Sequence, residues 1–245
     1  VLFSGEVLPV KHYRVWKKYL PQAMFVNLYG PTEVTCNCTY YVLDPKREYE
    51  LTDVIPIGKA FPNETVFLLD ETDQQVTEAG KAGEICVSSS ELALGYYNAP
   101  DKTAQVFVQN PLNHLYDERI YRTGDMAKYD AQGNLVYISR KDFQIKHLGH
   151  RIELGEIEVA ANAVDGITRS CCIYETEKER LLFFYTGTCE KRQLIKTLRG
   201  ILPPYMIPNT ALQLTEMPMT KNGKIDRNQL RKLYEEGLHA RHFKK

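Results

Sequence analysis

The sequence predicts an α/β region followed by a smaller α+β region, because its pattern changes twice along the 245 residues. The first residues alternate strand, helix and strand. From about residue 54 to 138, short apolar runs alternate with turn-rich pieces. After Arg140 helical and strand-like segments are mixed over roughly 100 residues, which is enough for a small separate domain. We therefore divide the chain into residues 1–141, β-rich from about residue 54, and residues 142–245.

The elements of the first region follow from periodicity. The segment PVKHYRVWKKYL, residues 9–20, puts Tyr13, Trp16 and Leu20 on one helix face, with Pro9 near the first turn. AMFVNLYG then predicts a short buried strand that ends at Gly30 and forms the edge of an α/β sheet. The runs TVFLLD, GEICVSS and NLVYIS, separated by the turns ETDQQ and DAQGN, predict a small antiparallel or barrel-like subdomain.

The second region predicts a hairpin, three strands and three helices. FQIKHLGHRI is typical of a hairpin, and ELGEIEVAANAV of an amphipathic helix. SCCIYE, LLFFYTG and ALQLTEM are strand-like, and EKRQLIKTLRGIL is a helix that Pro203 and Pro204 stop. In PMTKNGKIDR, Asn222 and Gly223 both tolerate the positive φ of a turn, and Asp226 caps the helix that follows.

Composition excludes some classes of protein. The 31 basic and 31 acidic residues balance, which leaves no electrostatic reason to expect a nucleic acid or an anionic membrane as partner. We find no apolar run of membrane-spanning length and no signal peptide, so we predict a cytoplasmic protein. The start at Val1, without an initiating methionine, indicates the interior of a longer protein.

Cysteine and histidine spacing does not favour a metal site. The six cysteines form no C-x-x-C pair, which predicts free thiols in a reducing compartment. His147 and His150 could share a metal on a helix, but Gly149 and the flanking strand pattern favour a turn there.

Four segments carry more glycine, threonine and acid than their secondary structure requires. In NLYGPTE, Gly30 and Pro31 force a tight loop that presents Thr32 and Glu33 at the carboxyl end of a strand, where ligands bind in open α/β sheets. A hydroxyl beside a carboxylate suits a phosphate and its Mg²⁺. An ordinary loop with a capping threonine explains the same residues.

The other three segments also allow two interpretations. In YRTGD, Asp125 could accept hydrogen bonds from a vicinal diol, as acidic residues do on ribose, or could be a turn residue. SRKDFQIKHLGHRIELGEIE, at the predicted domain junction, could be only a charged linker. Lys224, in PMTKNGKIDR, is either a solvated charge or a group directed at a ligand.

Six segments follow one another as they do in one family: SGEVLP, NLYGPTE, GEICVSSSELALGYYNAPDKT, YRTGD, RKDFQIKHLGHRIELGEIE and NGKIDR. With them, essentially the whole chain resembles the adenylate-forming (AMP-binding) superfamily, above all amino-acid adenylation domains of nonribosomal peptide synthetases and D-alanine–carrier-protein ligases. The resemblance implies the C-terminal part of such an enzyme. Its large domain would contribute a sheet edge and the β subdomain, and a mobile small α+β lid domain would follow from a hinge at Asp142.

The same resemblance implies a function. Such enzymes activate an amino acid with ATP as an aminoacyl-adenylate, then pass it to the phosphopantetheine thiol of a carrier protein. Two alternatives remain, an acyl- or aryl-acid–CoA ligase of the same superfamily and a non-catalytic module that binds a nucleotide or a carrier protein.

The resemblance also implies roles for single residues. Asn27 and Tyr29 would hold the adenine, beside a nucleotide wall of Gly5 and Glu6, and Asp125 with Arg140 would hold the ribose. Thr32 would contact the α-phosphate, Glu33 would bind Mg²⁺, and Lys224 would bridge the substrate carboxylate and the α-phosphate. The thiol would approach past Lys146 and Gly149. Four residues fall where the family reads its amino acid: Leu2, Ser4, Leu28 and Cys36.

The chain departs from the family at three places. Ser139 opens the hinge segment where the family has glycine, a change that should not affect the ribose contact. D-alanine ligases usually carry cysteine at the place of Ser4 and smaller residues than Leu28. We therefore expect a small or apolar substrate side chain but do not assign a particular amino acid. The family's loop for the β- and γ-phosphates and its ammonium-binding aspartate both precede Val1, so we expect this chain to be inactive alone.

Overall fold

A computed structural model of the chain describes residues 1–237, apart from the side chains of Asp142, Gln144 and Arg151. The chain forms two units. The first comprises residues 1–141 and the second begins at Asp142.

The first unit opens with a four-stranded sheet and one helix. Its strands have the order β1-β2-β3-β4, with β1 and β2 parallel and the other pairs antiparallel. Between β1 and β2, helix α1 packs Val10 and Tyr13 into a core that includes Phe25 and Leu43. The elements are β1 (Leu2–Phe3), α1 (Val10–Tyr19), β2 (Val26–Tyr29), β3 (Thr39–Val42) and β4 (Lys59–Ala60).

The predicted apolar face of α1 was correct only in part. Tyr13 is buried, but Trp16 and Leu20 remain 46% and 42% exposed. Trp16 makes an edge contact with Phe3 of the edge strand β1 instead of entering the core, and Leu20 already lies past the end of the helix. Pro9 caps the start with its carbonyl, which accepts from the N–H groups of His12 and Tyr13.

A second, wholly antiparallel sheet completes the first unit and confirms the predicted antiparallel subdomain. Its strand order is β10-β9-β7-β5-β6, with β8 on β9. Two of its turns are closed by Asp70 and Asp130, whose carboxylates accept backbone N–H groups within ETDQQ and DAQGN. The elements are β5 (Glu64–Leu69), β6 (Gln75–Val76), β7 (Ala82–Ser89), α2 (Pro100–Val106), β8 (Phe107–Gln109), β9 (Arg119–Tyr129) and β10 (Leu135–Arg140).

The second unit is the predicted α+β arrangement. A hairpin precedes a three-stranded sheet of order β13-β14-β15, antiparallel between β13 and β14 and parallel between β14 and β15. The elements are β11 (Gln144–His147), β12 (His150–Glu153), α3 (Leu154–Asn162), β13 (Ile167–Glu175), β14 (Arg180–Gly187), α4 (Lys191–Ile201), β15 (Thr210–Gln213) and α5 (Arg227–Glu235).

Both faces of the three-stranded sheet β13-β14-β15 are buried. Cys172 and Phe183 face a core shared with α3 and α4, whereas Cys171 and Phe184 face a second core that contains Leu230 of α5. Successive strand residues point to opposite faces, so a strand covered on both sides needs apolar residues at every position. This explains the unbroken apolar runs in SCCIYE and LLFFYTG.

Cysteine state and helix length add two facts. All six cysteines are free thiols, with Cys36 exposed and the others buried. Within residues 1–237, no helix combines the length and the apolar character needed to cross a membrane.

Candidate functional site

The carboxyl ends of the parallel strands β1 and β2 are neighbours at one edge of the first sheet. Ser4 follows β1 and Gly30 follows β2, and the Ser4 hydroxyl donates to Oδ1 of Asn37 at 2.7 Å. The loop after Gly30 folds back on itself, since the Cys38 N–H donates to the Tyr29 carbonyl at 2.8 Å. A Cβ on Gly30 would lie 2.3 Å from the Cα of Asn37, so only glycine allows this approach.

The predicted substrate residues lie along this edge. Leu2 is 69% exposed and Leu28 is half-buried in the next strand. Cys36 is exposed in the loop and has a φ of 88°, in the left-handed region that non-glycine residues rarely adopt. Ser4 and Cys36 follow the carboxyl ends of β1 and β2, and Leu28 lies near that end, whereas Leu2 pairs with Val26 at the start of β2.

Glu33 sits in a short 3₁₀ turn, Thr32–Val34, which the fully buried Val34 anchors. Its Oε1 accepts a hydrogen bond from the Tyr96 hydroxyl at 2.5 Å, and its backbone carbonyl accepts from the Ala93 N–H at 2.8 Å. Burial is the largest single influence and would raise the pKa of Glu33, but hydrogen bonds from Tyr96, a backbone N–H and Tyr121, with the charge of Lys102, together lower it. Glu33 is therefore an anion at neutral pH, beside the exposed Thr32.

Three side chains surround the carboxylate of Asp125, a residue that is only 8% exposed. The Tyr29 hydroxyl donates to Oδ2 at 2.6 Å, the Tyr137 hydroxyl is 3.4 Å from Oδ1, and the Arg140 guanidinium is 3.5 Å from the same oxygen. Burial and the charge of Asp125 raise the pKa of Tyr29, which stays a donor. The structure thus brings together Tyr29, Asp125 and Arg140, which the sequence placed in three separate segments.

A buried glutamate holds the turn before Asp125. Glu84, 6% exposed, accepts from the Gly124 N–H at 3.1 Å and pairs with Arg122 at 2.9 Å and with Lys141 at 3.5 Å. Gly124 has a φ of 69°, and a Cβ there would lie 3.1 Å from the Arg140 guanidinium. The position of Asp125 therefore depends on strand β7 as well as on its own strand.

Sequence reasoning assigned no role to Tyr96, Tyr121, Tyr137 or Glu84, which line or support these carboxylates. Tyr96 and Glu84 stand inside a segment already recognised as a motif, GEICVSSSELALGYYNAPDKT. Tyr137, in the apolar run NLVYIS, had no distinguishing signal because its partner is reached only through the pairing of β9 and β10.

The other residues predicted to bind the nucleotide are less tightly grouped. Asn27 is 3% exposed, and its side-chain amide donates to the Pro56 carbonyl at 2.9 Å. Gly5 has a φ of 100° with open space around it, so its conformation rather than crowding favours glycine there. Glu6 is exposed.

In the second unit the hairpin tip is a Leu148–Gly149 turn with positive φ at both residues, as hairpin turns of this kind require. Gly149 lies at this tip and Lys146 is exposed in β11, with its carbonyl accepting from the Tyr174 hydroxyl at 3.4 Å. The backbone of Asp142 belongs to a 3₁₀ turn, Lys141–Phe143, but its side chain, and with it the predicted hinge role, lies outside the described residues.

Lys224 is exposed on a three-residue hairpin loop. The Gly223 N–H donates to the Thr220 carbonyl at 2.9 Å, and the Thr220 N–H donates to the Lys224 carbonyl at 2.7 Å. The predicted turn is confirmed, but only Gly223 has positive φ, because this loop needs one left-handed residue rather than two. The predicted cap is also confirmed, with Asp226 accepting from the Gln229 N–H at 2.9 Å.

The donor set fits a magnesium nucleotide. Across the described residues, no three or more His, Cys, Asp or Glu side chains are grouped to hold a metal ion. A Mg²⁺ at the ionised Glu33 would therefore take its other ligands from phosphate oxygens and water, as this ion prefers. The buried carboxylate of Asp125, among hydroxyl donors, is equally suited to accept from a diol.

Comparison with known proteins identifies the class. The family model described as AMP-binding enzyme matches residues 1–97, and the relatives below extend the match over nearly the whole chain. The chain contains part of an AMP-binding domain, and its homologues over nearly its whole length are adenylation domains of nonribosomal peptide synthetases. The predicted resemblance and fold class are confirmed.

Two curated relatives show the degree of similarity. The chain is 41% identical to Zwittermicin A synthase ZmaJ of Bacillus cereus, over 94% of this chain and 44% of that protein. It is 37% identical to Surfactin synthase subunit 1 of Bacillus subtilis (strain 168), over 94% of this chain and 6% of that protein. The chain thus spans less than half the length of these relatives.

Two solved structures share the fold. Klebsiella oxytoca NpsA in complex with 3-hydroxyanthranilyl-AMSN is 27% identical with a TM-score of 0.83, covering 96% of this chain and 48% of that one. AB3403, a four-domain nonribosomal peptide synthetase bound to AMP and glycine, is 33% identical with a TM-score of 0.76, covering 93% and 17%. Coverage of about half of NpsA agrees with the predicted C-terminal portion.

Proposed function

We propose that this chain is part of a longer ATP-dependent ligase, which activates an amino acid as an aminoacyl-adenylate and transfers it to the phosphopantetheine thiol of a carrier protein. The observation that carries the proposal is the likeness, over 93% of this chain, to a nonribosomal peptide synthetase solved with AMP and glycine. By itself this chain would not turn over ATP.

The first unit would bind the nucleotide. Asp125 would accept both ribose hydroxyls, with Arg140 at 3.5 Å to hold its charge in place. Tyr29, now bonded to Asp125 at 2.6 Å, would turn its ring to the adenine beside Asn27. The exposed residues Gly5 and Glu6 would complete the surface that contacts the adenine. The burial of Asp125 supports this role, because a buried carboxylate binds hydroxyl donors strongly.

The loop after Gly30 would serve the phosphates. Thr32 would donate its hydroxyl to the α-phosphate, and Glu33 would hold the Mg²⁺. When bound, the ion would supply charge neutralisation for the phosphate oxygens. The lowered pKa of Glu33 supports this role, since only the anion binds a cation well.

Lys224 would act in the first step, in which a carboxylate oxygen attacks the α-phosphorus and pyrophosphate leaves. Two anions approach each other there, and a positioned ammonium offsets their repulsion most in the transition state. Lysine suits this task because it is a compact charge on a flexible stem.

In the second step the carrier thiol would attack the acyl carbon and AMP would leave. The turn at Gly149, without a side chain, would border the thiol's approach beside Lys146. A hinge at Asp142 would move the second unit between the two steps.

The substrate side chain would be small or apolar. Leu28 and the thiol of Cys36 present little polarity, and Leu2 adds apolar surface, with Ser4 bonded to Asn37. A second candidate is an aryl- or acyl-acid ligase acting on coenzyme A, which the aryl ligand of NpsA favours. A non-catalytic module is less well supported, because Glu33, Asp125 and Lys224, which the proposed reaction would use, are all present in the chain.

Pyrophosphate exchange by the full-length polypeptide, over a panel of amino, aryl and fatty acids, tests the proposal. We expect exchange with a small or apolar amino acid, followed by loading of a carrier protein. Exchange driven only by aryl or fatty acids would establish the second candidate. If no acid supports exchange, the ligase proposal is wrong.

A further inference from the structure

Arg227 is partly buried in the second unit, with its side chain 25% exposed, although it lies only three residues after the exposed Lys224. Its Nη2 is 2.7 Å from Oε1 of Glu158 in α3, and its Nη1 donates to the Cys172 carbonyl in β13 at 2.6 Å. The guanidinium also stacks over the Phe143 ring at 4.2 Å. One side chain thus connects the start of α5 to three other elements.

Glu158 and Arg227 both hydrogen-bond the backbone of Cys172. Glu158 Oε1 accepts from the Cys172 N–H at 2.7 Å, while Arg227 binds the carbonyl of that residue. A planar guanidinium holds its N–H donors in a fixed fork, so it binds the carboxylate and the carbonyl in one defined orientation, whereas the donors of an ammonium rotate freely. Burial raises the pKa of Glu158 and the charge of Arg227 opposes that rise, so the two charges depend on each other.

The start of α5 does not itself need this arginine. Asp226 already caps the helix through the Gln229 N–H, and Leu230 already packs the helix into its core. The three contacts of Arg227 therefore do something other than begin the helix.

The contacts of Arg227 reach Lys224 through a short, hydrogen-bonded segment. Three residues of chain span at most about 10 Å. The Asp226 N–H donates to the Pro218 carbonyl at 2.9 Å, and Ile225 forms a β-bridge with Met219. Because these hydrogen bonds join the two strands that flank the Lys224 turn, a shift at Arg227 would be transmitted to that turn.

We propose that Arg227 is a positioning residue for Lys224: through Glu158 and Cys172, it fixes the lysine turn to the sheet β13-β14-β15. This inference rests on the role proposed for Lys224. Arg227 would contact neither nucleotide nor acid, and its effect would be confined to the step that uses the lysine.

The test separates the two half-reactions in the full-length polypeptide. Pyrophosphate exchange measures adenylation, and thioester formation from supplied aminoacyl-adenylate measures transfer. For Arg227→Ala, we expect a loss on the order of 100-fold in exchange and only a few-fold loss in transfer, because misplacement of a catalytic group by about 1 Å has effects of this size. Arg227→Lys should be intermediate, because it keeps the charge without the fork.

Arg231→Ala is the matched control. It lies one turn later on the same helix, is exposed, and donates to the Tyr174 carbonyl at 3.4 Å. We expect exchange and transfer to be unchanged in this variant.

A second variant guards against misfolding of Arg227→Ala. Glu158→Gln keeps the side-chain volume and an acceptor for the Cys172 N–H but removes the charge that faces Arg227. We expect it to lower exchange more than transfer. Equal losses in both steps, in either variant, would mean a purely structural role and would overturn the inference.

The two proposals fail in distinguishable ways. If Lys224→Ala abolishes exchange while Arg227→Ala leaves it intact, only the positioning role is wrong. If the parent protein shows no exchange, the proposed function and this inference are both wrong. If the parent shows exchange and Lys224→Ala retains it, the role of Lys224 and this inference are wrong while the ligase function stands.

Discussion

Lys224 shows how little one residue reveals by itself, since an exposed lysine on a turn is ordinarily a solvated charge. We expect Lys224→Ala in the full-length protein to lower pyrophosphate exchange by on the order of 100-fold or more, since it removes a charge aimed at the transition state. Transfer from supplied adenylate should largely survive. The melting temperature should not change, because the side chain is exposed.

Lys221, exposed in the same loop, supplies the control for this prediction. Lys221→Ala removes an equal charge from the same surface, and exchange should stay at the parent level. A similar loss in both variants would assign the effect to local charge rather than to Lys224.

The environment of Glu33 also belongs to the residue scale. The pair Thr32 and Glu33 was predicted from its place after a strand, but the pKa of Glu33 is lowered by distant groups, among them Tyr96, whose hydroxyl lies 2.5 Å away and 63 positions further along the chain. Local sequence carries no information on such a partner, because only the folding of the loop at residues 93–96 onto the 3₁₀ turn brings it near.

At the scale of elements, the loop after β2 depends on close backbone contact. Gly30→Ala would put a methyl group 2.3 Å from the Asn37 Cα and 2.7 Å from the Cys36 carbonyl oxygen. Because backbone must move to relieve this clash, we expect the free energy of unfolding to fall by about 1–3 kcal/mol. Urea denaturation of the chain, followed by fluorescence, measures this change.

Gly200 is the control glycine. It lies within α4, has no atom near the place of a Cβ, and has ordinary helical φ. Gly200→Ala should raise stability by about 0.5–1 kcal/mol, since alanine loses less backbone entropy in a helix. If Gly30→Ala has the same midpoint of urea unfolding as the parent protein, the loop is not closely packed.

For the whole molecule, the chief prediction is that residues 1–245 alone do not catalyse pyrophosphate exchange. The chain covers 44% of Zwittermicin A synthase ZmaJ and 48% of NpsA, so more than half of each relative has no counterpart here. The resemblance places the β- and γ-phosphate loop in that other part. Exchange by this chain, measured against the full-length protein, would contradict the prediction.

The sequence by itself determined the fold class, the family resemblance and part of the order of elements, but it did not predict β3, β4, α2, β8 or β9. Periodicity revealed α3, α4 and the apolar runs of β13 and β14, and Asn222-Gly223 with Asp226 predicted a turn and a cap that the structure contains. These features depend on residues close together in the chain, so their spacing and residue types can be recognised without knowing the tertiary contacts.

Only the tertiary structure decided which side chains meet. Asp125 acquired Tyr29 from a strand 96 positions away, and Arg227 acquired Glu158 across 69 positions. It also decided that Trp16 stays at a sheet edge although its spacing predicted a core position. Burial, pairing and charge between distant residues depend on how elements pack, and packing is a property of the assembled core rather than of any segment.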